Sequence, residues 1–279
     1  MRVLFCNVIS RIKRLRPGRY FYVAVVAVGF FLVAAASRDL YTMQREDSSA
    51  HSEYEALREL YYTTPAPSRP ATVSQKDPLA AEQAEPLYAA QLSMYPDPNA
   101  ISAQEQPDPL ESLLEMNPDF VGWVAINGVI DYPVVQGDDN DFYLGVTFSG
   151  NSNPAGAVFM DYRNTRGFDS PICILYGHNM RDGSMFAGLN RYLDPAFMAA
   201  HPDIAIMTPE GKSQLYRIYA AERTNAWDAT YDLDYADGAT DATFDNAPGG
   251  ANQLLMLSTC TNNEDRGERL LVYASLVPR

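Results

Sequence analysis

Near its C-terminus the chain carries two apolar runs, Leu254-Leu255-Met256-Leu257-Ser258-Thr259 and Leu270-Leu271-Val272-Tyr273-Ala274-Ser275-Leu276, with Cys260 closing the first and Arg269 opening the second after a polar gap at 261–268. Two β-like runs joined by a short polar loop form an antiparallel hairpin, and the residues bounding such a loop face each other at about 5 Å between Cα atoms. Alternation puts Leu270, Val272, Ala274 and Leu276 on one face and Arg269 on the other. On the first strand Leu255, Leu257 and Thr259 oppose Ser258 and Cys260. A thiol and a guanidinium are therefore expected side by side at one strand end, leaving the core on the same side.

Similar short runs recur upstream. Strands are expected near 121–126, 130–135, 157–160, 171–177, 203–208, 213–221, 253–259 and 269–277, with Pro133 marking a strand end or edge. Short helices are expected near 184–192 and, after Asp194-Pro195, near 195–200. Asp108-Pro109-Leu110-Glu111 reads as a helix start, and Leu110, Leu113 and Leu114 then share a face that packs on the domain behind it. Eight short strands with few helices predict a mainly β fold, a closed or nearly closed barrel.

A thiol near pKa 8.5 is mostly protonated at neutral pH, and an adjacent fixed cation favours the thiolate that attacks carbonyls. Cys260 is thus a candidate nucleophile. Of the three histidines, His178 is the candidate proton carrier, because it follows the run Ile172-Cys173-Ile174-Leu175-Tyr176 where a strand meets a loop. His51 lies in a polar stretch, and His201 precedes Pro202 at an expected helix end. Cys173, inside an apolar run, reads as a small buried hydrophobe.

These residues belong to a larger pattern. Tyr176-Gly177-His178-Asn179-Met180, Asp182-Gly183-Ser184-Met185-Phe186, Leu257-Ser258-Thr259-Cys260 and Arg269 resemble the signature of the class B sortases. Asn117-Pro118-Asp119-Phe120-Val121-Gly122-Trp123-Val124, Asp131-Tyr132-Pro133-Val134-Val135-Gln136, Asn140-Asp141-Phe142-Tyr143-Leu144 and Phe159-Met160-Asp161 resemble that class too, so the likeness spans about 107–279. It implies an eight-stranded sortase-type barrel with an N-terminal helix. It also implies a cysteine transpeptidase without cofactor, in which Cys260 attacks the carbonyl of a substrate threonine. His178 would protonate the departing amine, and Arg269 would neutralise charge on the carbonyl oxygen. The implied partners are secreted proteins with a C-terminal sorting signal, and a cell-wall or pilin amine as acceptor. By the same resemblance Asn140, Leu144, Tyr176 and Ser258 line the signal-binding groove.

The sequence departs from the class in two places. Thr261 follows the cysteine where class B members often carry an acid. The segment from Arg223 to Asn252 is too polar and too rich in Gly and Asp for the long helix expected before the cysteine strand. Its Asp232, Asp234, Asp237 and Asp241 invite a calcium reading, but Ala236 falls where an EF-hand needs an oxygen ligand, so a solvated acidic loop is expected and no metal. Arg266 competes with Arg269 but lies inside the polar gap. A catalytically idle surface-binding domain on the same barrel is the rival function, and the joint presence of Cys260, His178 and Arg269 counts against it. A papain-like hydrolase fails on order, since there the cysteine precedes the histidine and opens a helix.

Charge divides the chain. The first 37 residues hold Arg2, Arg11, Lys13, Arg14, Arg16 and Arg19 and no acid, whereas the rest carries 15 basic against 35 acidic side chains, a net of −20, which argues against nucleic acid as a partner. Tyr20 to Ala36 is free of charge and, as a helix, is about 26 Å long. Residues 1–19 then read as a basic cytoplasmic tail, 20–36 as a transmembrane signal anchor, 37–106 as an extracellular stalk or linker and 107–279 as the catalytic domain, because basic flanks stay inside. Within the stalk Ser52 to Tyr62 can form a short helix, which Pro65, Pro67 and Pro70 stop. The rival is a cleaved signal peptide with Ala34-Ala35-Ala36 at the cut, whose apolar core would be shorter. Only Cys173 and Cys260 fall outside the membrane on this reading, so the domain is no disulfide scaffold.

Overall fold

Eight strands follow from the eight apolar runs: β1 (Phe120–Ile126), β2 (Ile130–Val135), β3 (Val158–Met160), β4 (Ile172–Tyr176), β5 (Asp203–Met207), β6 (Ser213–Asn225), β7 (Leu254–Cys260) and β8 (Glu268–Leu276). In this computed structural model, which describes residues 19–63, 108–227, 231, 253–260 and 267–278, they close into a barrel in the order β1-β2-β3-β4-β7-β8-β6-β5. Pairing is antiparallel except at β2–β3 and β4–β7, which are parallel. β1 and β5 complete the closure, Trp123 lying opposite Met207. No sheet edge is left open, which is how a β fold of this kind avoids edge-to-edge association.

The runs in β4, β7 and β8 are almost uninterrupted because both faces of these strands are covered. One face supplies Cys173, Leu175, Leu255, Leu257, Val272 and Ala274 to the main core. The opposite face supplies Ile172, Ile174, Met256, Leu271 and Tyr273 to a second, smaller cluster, against which Tyr176, Tyr219 and Tyr231 pack.

Helix α2 (Pro109–Met116) starts as expected, with the Asp108 carboxylate accepting a hydrogen bond from Leu110 N at 2.9 Å. Leu110 and Leu113 are buried, but Leu114, at the edge of that face, is 41 % exposed. Helix α3 (Pro195–Ala200) is capped by Asp194 in the same way. Where a helix was expected at 184–192, a 3-10 segment runs from Ala187 to Leu193. Its start is displaced because Asn179 bridges Met185, which commits the preceding residues to a tight loop.

Helix α1 (Arg19–Thr63) requires a correction to the expected linker at 37–106. The chain divides into two compact units, residues 1–48 and 49–279, so the last turns of α1 fold with the barrel. Ala50, Tyr54, Leu57 and Tyr61 are buried, a stripe at helical spacing on one face. Tyr61 stacks on Trp123 with ring centroids 4.2 Å apart, and the Tyr54 hydroxyl donates to the Gly156 carbonyl at 2.6 Å. Glu53 accepts from Thr147 Oγ1, Ser149 N and Asn151 Nδ2. Residues 64–106, the rest of the expected linker, lie outside the described residues. In the first unit Val28, Phe30, Phe31, Leu32 and Val33 are exposed. Among the described residues no helix is long and apolar enough to cross a membrane, while the side chains of 20–26, which open the expected anchor, are not among those described.

Candidate active site

The parallel pairing of β4 with β7 brings the candidate residues to one end of the barrel. Tyr176 sits beside Ser258, so the chain segments following both strands emerge at the same end, and β8, antiparallel to β7, enters there. Cys260 is in direct register with Arg269, as the hairpin spacing predicts. Both lie on the face of the smaller cluster, continuing the alternation of Met256 and Ser258 on β7 and of Leu271 on β8. The site is therefore built on the outside of the barrel, and Cys260 is exposed.

His178 follows two residues after Tyr176, and the junction is stitched to β7 by polar contacts. Gly177 N donates to Ser258 O at 3.2 Å, and Thr259 Oγ1 donates to Gly177 O at 2.7 Å. Glycine is needed here because a Cβ would lie 2.6 Å from the Phe186 ring. Asn179 Nδ2 donates to the carbonyl of Cys260 at 2.8 Å, while its Oδ1 accepts from Asn190 Nδ2 at 3.1 Å. The returning loop is held by Phe186 N on the His178 carbonyl and by Met185 N on the Tyr132 hydroxyl, each at 2.8 Å.

His178 Nε2 lies 2.8 Å from the carbonyl oxygen of Leu144. A carbonyl can only accept, so Nε2 carries the hydrogen of that bond, and Nδ1 is the nitrogen left to exchange a proton. Arg269 is half-buried, and its Nη1 donates to the Glu268 carbonyl at 3.0 Å. The other described thiol is unlike Cys260. Cys173 is fully buried, and burial pushes it up to about 12 against the smaller opposing effect of a contact with the Ser170 carbonyl. It is inert packing.

The four residues expected in the groove fall into two groups. Leu144 is 43 % exposed and supplies the carbonyl that holds His178. Asn140, Tyr176 and Ser258 are joined through partners that sequence reasoning did not single out. Asn140 Nδ2 and the Tyr176 hydroxyl donate to Asp161 Oδ2 at 3.0 and 2.9 Å. The Tyr176 ring stacks with Tyr231 at 6.3 Å, and the Tyr231 hydroxyl is 2.7 Å from Ser258 Oγ.

Asp161 has no exposed surface, yet it is held ionised. Burial raises its pKa, but the Arg163 fork, the Arg163 backbone amide, Tyr176 and Asn140 together outweigh that and leave it below the usual carboxylate range. Arg163 contributes Nε to Oδ1 and Nη2 to Oδ2, both at 2.8 Å, and the same Nη2 donates to the Tyr231 carbonyl at 2.9 Å. Burial, then the Asp161 charge, push the Tyr176 hydroxyl far up, so it remains a donor. The sequence did carry one trace of this hub, an acid and a base two residues apart just past a strand. It carried none for Tyr231, which lies in the polar segment before β7.

Arg266 and Thr261 lie outside the described residues, as do Asp232, Asp234, Asp237 and Asp241 with most of the segment that separates β6 from β7. Among the described residues no group of three or more His, Cys, Asp or Glu could hold a metal ion.

Comparison with known proteins supports the barrel described above. The sortase domain family model matches residues 125–277. Sortase B of Listeria monocytogenes is 35% identical over 191 residues, spanning 62% of this chain and 75% of that protein. Among solved structures, Clostridium perfringens sortase B superposes with a TM-score of 0.55 at 27% identity over 60% of this chain and 99% of its own. A Streptococcus pyogenes class B sortase involved in pilus biogenesis gives 0.54 at 26% identity over 60% and 97%. Family match, shared barrel and shared sequence converge, and the chain belongs to the sortase family of cysteine transpeptidases, within its class B.

Proposed function

We propose that this chain is a membrane-anchored sortase that cleaves a C-terminal sorting signal after threonine and joins the shortened protein to an amine of the cell wall or of a pilin subunit. Sortases act outside the cell on sorting-signal substrates and amine acceptors in general. The observation that carries the assignment is the direct register of Cys260 with Arg269 beside the His178 junction.

In this reading the Cys260 thiolate adds to the threonine carbonyl carbon, and the Arg269 guanidinium faces the oxygen that gains charge. The threonine C–N bond breaks, and His178 delivers a proton from Nδ1 to the departing amine. A thioester remains. The incoming amine then attacks the same carbon, gives its proton to His178 and expels the Cys260 thiolate, which restores the enzyme. No oxidant or metal enters the balance. The signal is of the proline-x-threonine kind. The pilus role of the Streptococcus pyogenes neighbour is the reason to keep a pilin lysine beside the cell wall as acceptor.

The test is capture of the intermediate. The full chain is incubated with a library of peptides of the form x-x-Pro-x-Thr-x-x, with and without added amines, and Cys260 is examined by mass spectrometry. An acyl group ending in threonine is expected on Cys260 and on no other residue, lost in Cys260→Ala and His178→Ala and discharged by amines. An acyl group ending elsewhere overturns the substrate assignment, and an unmodified Cys260 overturns the mechanism.

A further inference from the structure

We infer that the ion pair of Asp161 with Arg163 is a positioning device for the sorting-signal groove: it fixes Asn140 and Tyr176 and ties Tyr231 to them. The inference rests on the groove reading of Asn140 and Tyr176, and adds two residues that touch no substrate in that reading.

Five hydrogen bonds converge on the buried Asp161 carboxylate, from Asn140, Tyr176 and three donors of Arg163. A barrel does not need such an arrangement for stability, because a buried pair of charges loses in desolvation much of what it gains in attraction. What it does supply is direction. Tyr176 ends β4 on the face shared with Ser258 and Cys260, and its hydroxyl has a single acceptor that fixes the ring tilt. Asn140 is held at both ends, by Asp161 through Nδ2 and by the Tyr162 amide through Oδ1 at 3.1 Å.

Arg163 extends the hub upward. Its side chain is 37 % exposed, and Nη2 reaches the Tyr231 carbonyl at 2.9 Å while holding Asp161 with the same fork. Tyr231 in turn stacks on Tyr176 and meets Ser258 Oγ through its hydroxyl. One guanidinium thus joins Asp161, and through it Asn140 and Tyr176, to Tyr231. A planar fork with several donors can satisfy a carboxylate and a carbonyl at once, whereas an ammonium cannot keep both in fixed directions.

The experiment uses the full chain and the x-x-Pro-x-Thr-x-x library. Asp161→Asn is the direct variant but leaves a buried cluster poorly matched, so Arg163→Gln, at a half-exposed position, carries the test. Arg163→Gln should raise KM about tenfold, change kcat less than about threefold and broaden selection at the residues preceding threonine. Alkylation of Cys260 by iodoacetamide should keep its wild-type rate. Without the arginine side chain, the effect of burial on the Asp161 pKa is opposed only by the backbone amide at 163, Tyr176 and Asn140, so protonation should loosen the groove sooner: KM of Arg163→Gln should climb as pH falls, while that of wild type stays level. Arg163→Lys should recover part of the KM loss and little of the selectivity. Wild-type KM and selectivity in Arg163→Gln would overturn the inference, as would a parallel fall of kcat, KM selectivity and alkylation, which marks general unfolding. If instead Asn140→Ala and Tyr176→Ala leave KM unchanged, the groove reading itself fails, and Cys260→Ala separates that from failure of the mechanism.

Discussion

At the scale of single residues, the hairpin alone carried much of the site. A cysteine and an arginine bounding one polar gap had to face each other once the gap became a hairpin, and they do. His178 was singled out by its place at the end of an apolar run, but what joins its segment to that of Cys260 was not legible: the parallel pairing of β4 with β7, strands separated by more than seventy residues with no local mark of their pairing. Asn179, Asp161, Arg163 and Tyr231 were missed for a related reason: each acts through a hydrogen bond to a distant segment, which no periodicity announces. The arginine assignment can be tested at this scale. Arg269 stands at the start of β8 opposite the thiol, and a point ammonium cannot reproduce a planar fork facing a developing oxyanion. Arg269→Lys should therefore lower the acylation rate on the order of 100-fold, with Cys260 still alkylated by iodoacetamide. Near wild-type turnover in Arg269→Lys, together with loss in Arg266→Ala, would transfer the role to Arg266.

At the scale of elements, all eight strands were readable because short apolar runs bounded by polar turns admit little else. The exception is instructive. Within the expected linker a short helix was legible at Ser52 to Tyr62, but its docking was not, because the Ala-, Ser- and Pro-rich surroundings obscured a stripe of Ala50, Tyr54, Leu57 and Tyr61, whose spacing of four, three and four residues is one helical face. Tyr54 and Glu53 tie the helix to the segment running from Tyr143 to Gly156, which also supplies the Leu144 carbonyl to His178. Gly156 receives the Tyr54 hydroxyl bond, and the next residue, Ala157, donates through its amide to the Tyr143 carbonyl at 3.0 Å. The helix is thus part of the support of the catalytic histidine in the proposed mechanism. Leu57→Ala should destabilise the domain by about 2–5 kcal/mol, the usual cost of emptying a core position. Tyr54→Phe leaves the Gly156 carbonyl without this donor and should cost about 1–3 kcal/mol, with a several-fold loss in acylation rate. Thermal unfolding and single-turnover kinetics measure the two effects. Wild-type values in both variants would show that this part of α1 is dispensable, and limited proteolysis should spare Ser49–Thr63 if it is not.

At the scale of the whole molecule, a site on the outer face of a closed barrel suits a substrate that is itself a folded protein presenting an extended tail, because the tail can lie along the surface without entering the core. The proposed membrane attachment is tested on the N-terminal unit. Val28, Phe30, Phe31, Leu32 and Val33 are each more than half exposed on α1, an apolar surface that water disfavours and hydrocarbon accepts. The six basic residues of the first 37 all precede this stretch and the acidic excess follows it, which in the proposed attachment would leave the N-terminus in the cytoplasm. The full chain should sediment with membranes, with its catalytic domain open to external protease and its first residues protected. Leu32→Arg puts a charge in the middle of the apolar stretch, where insertion costs about 2.5–3.5 kcal/mol. That variant should shift a large fraction of the chain out of the membrane pellet without altering peptide cleavage by the barrel, since residue 32 belongs to the unit that ends at Ser48. Recovery of a mature protein beginning near Ser37 in the medium would identify the stretch as a cleaved signal peptide, and unchanged sedimentation of Leu32→Arg would show that attachment resides elsewhere in the chain.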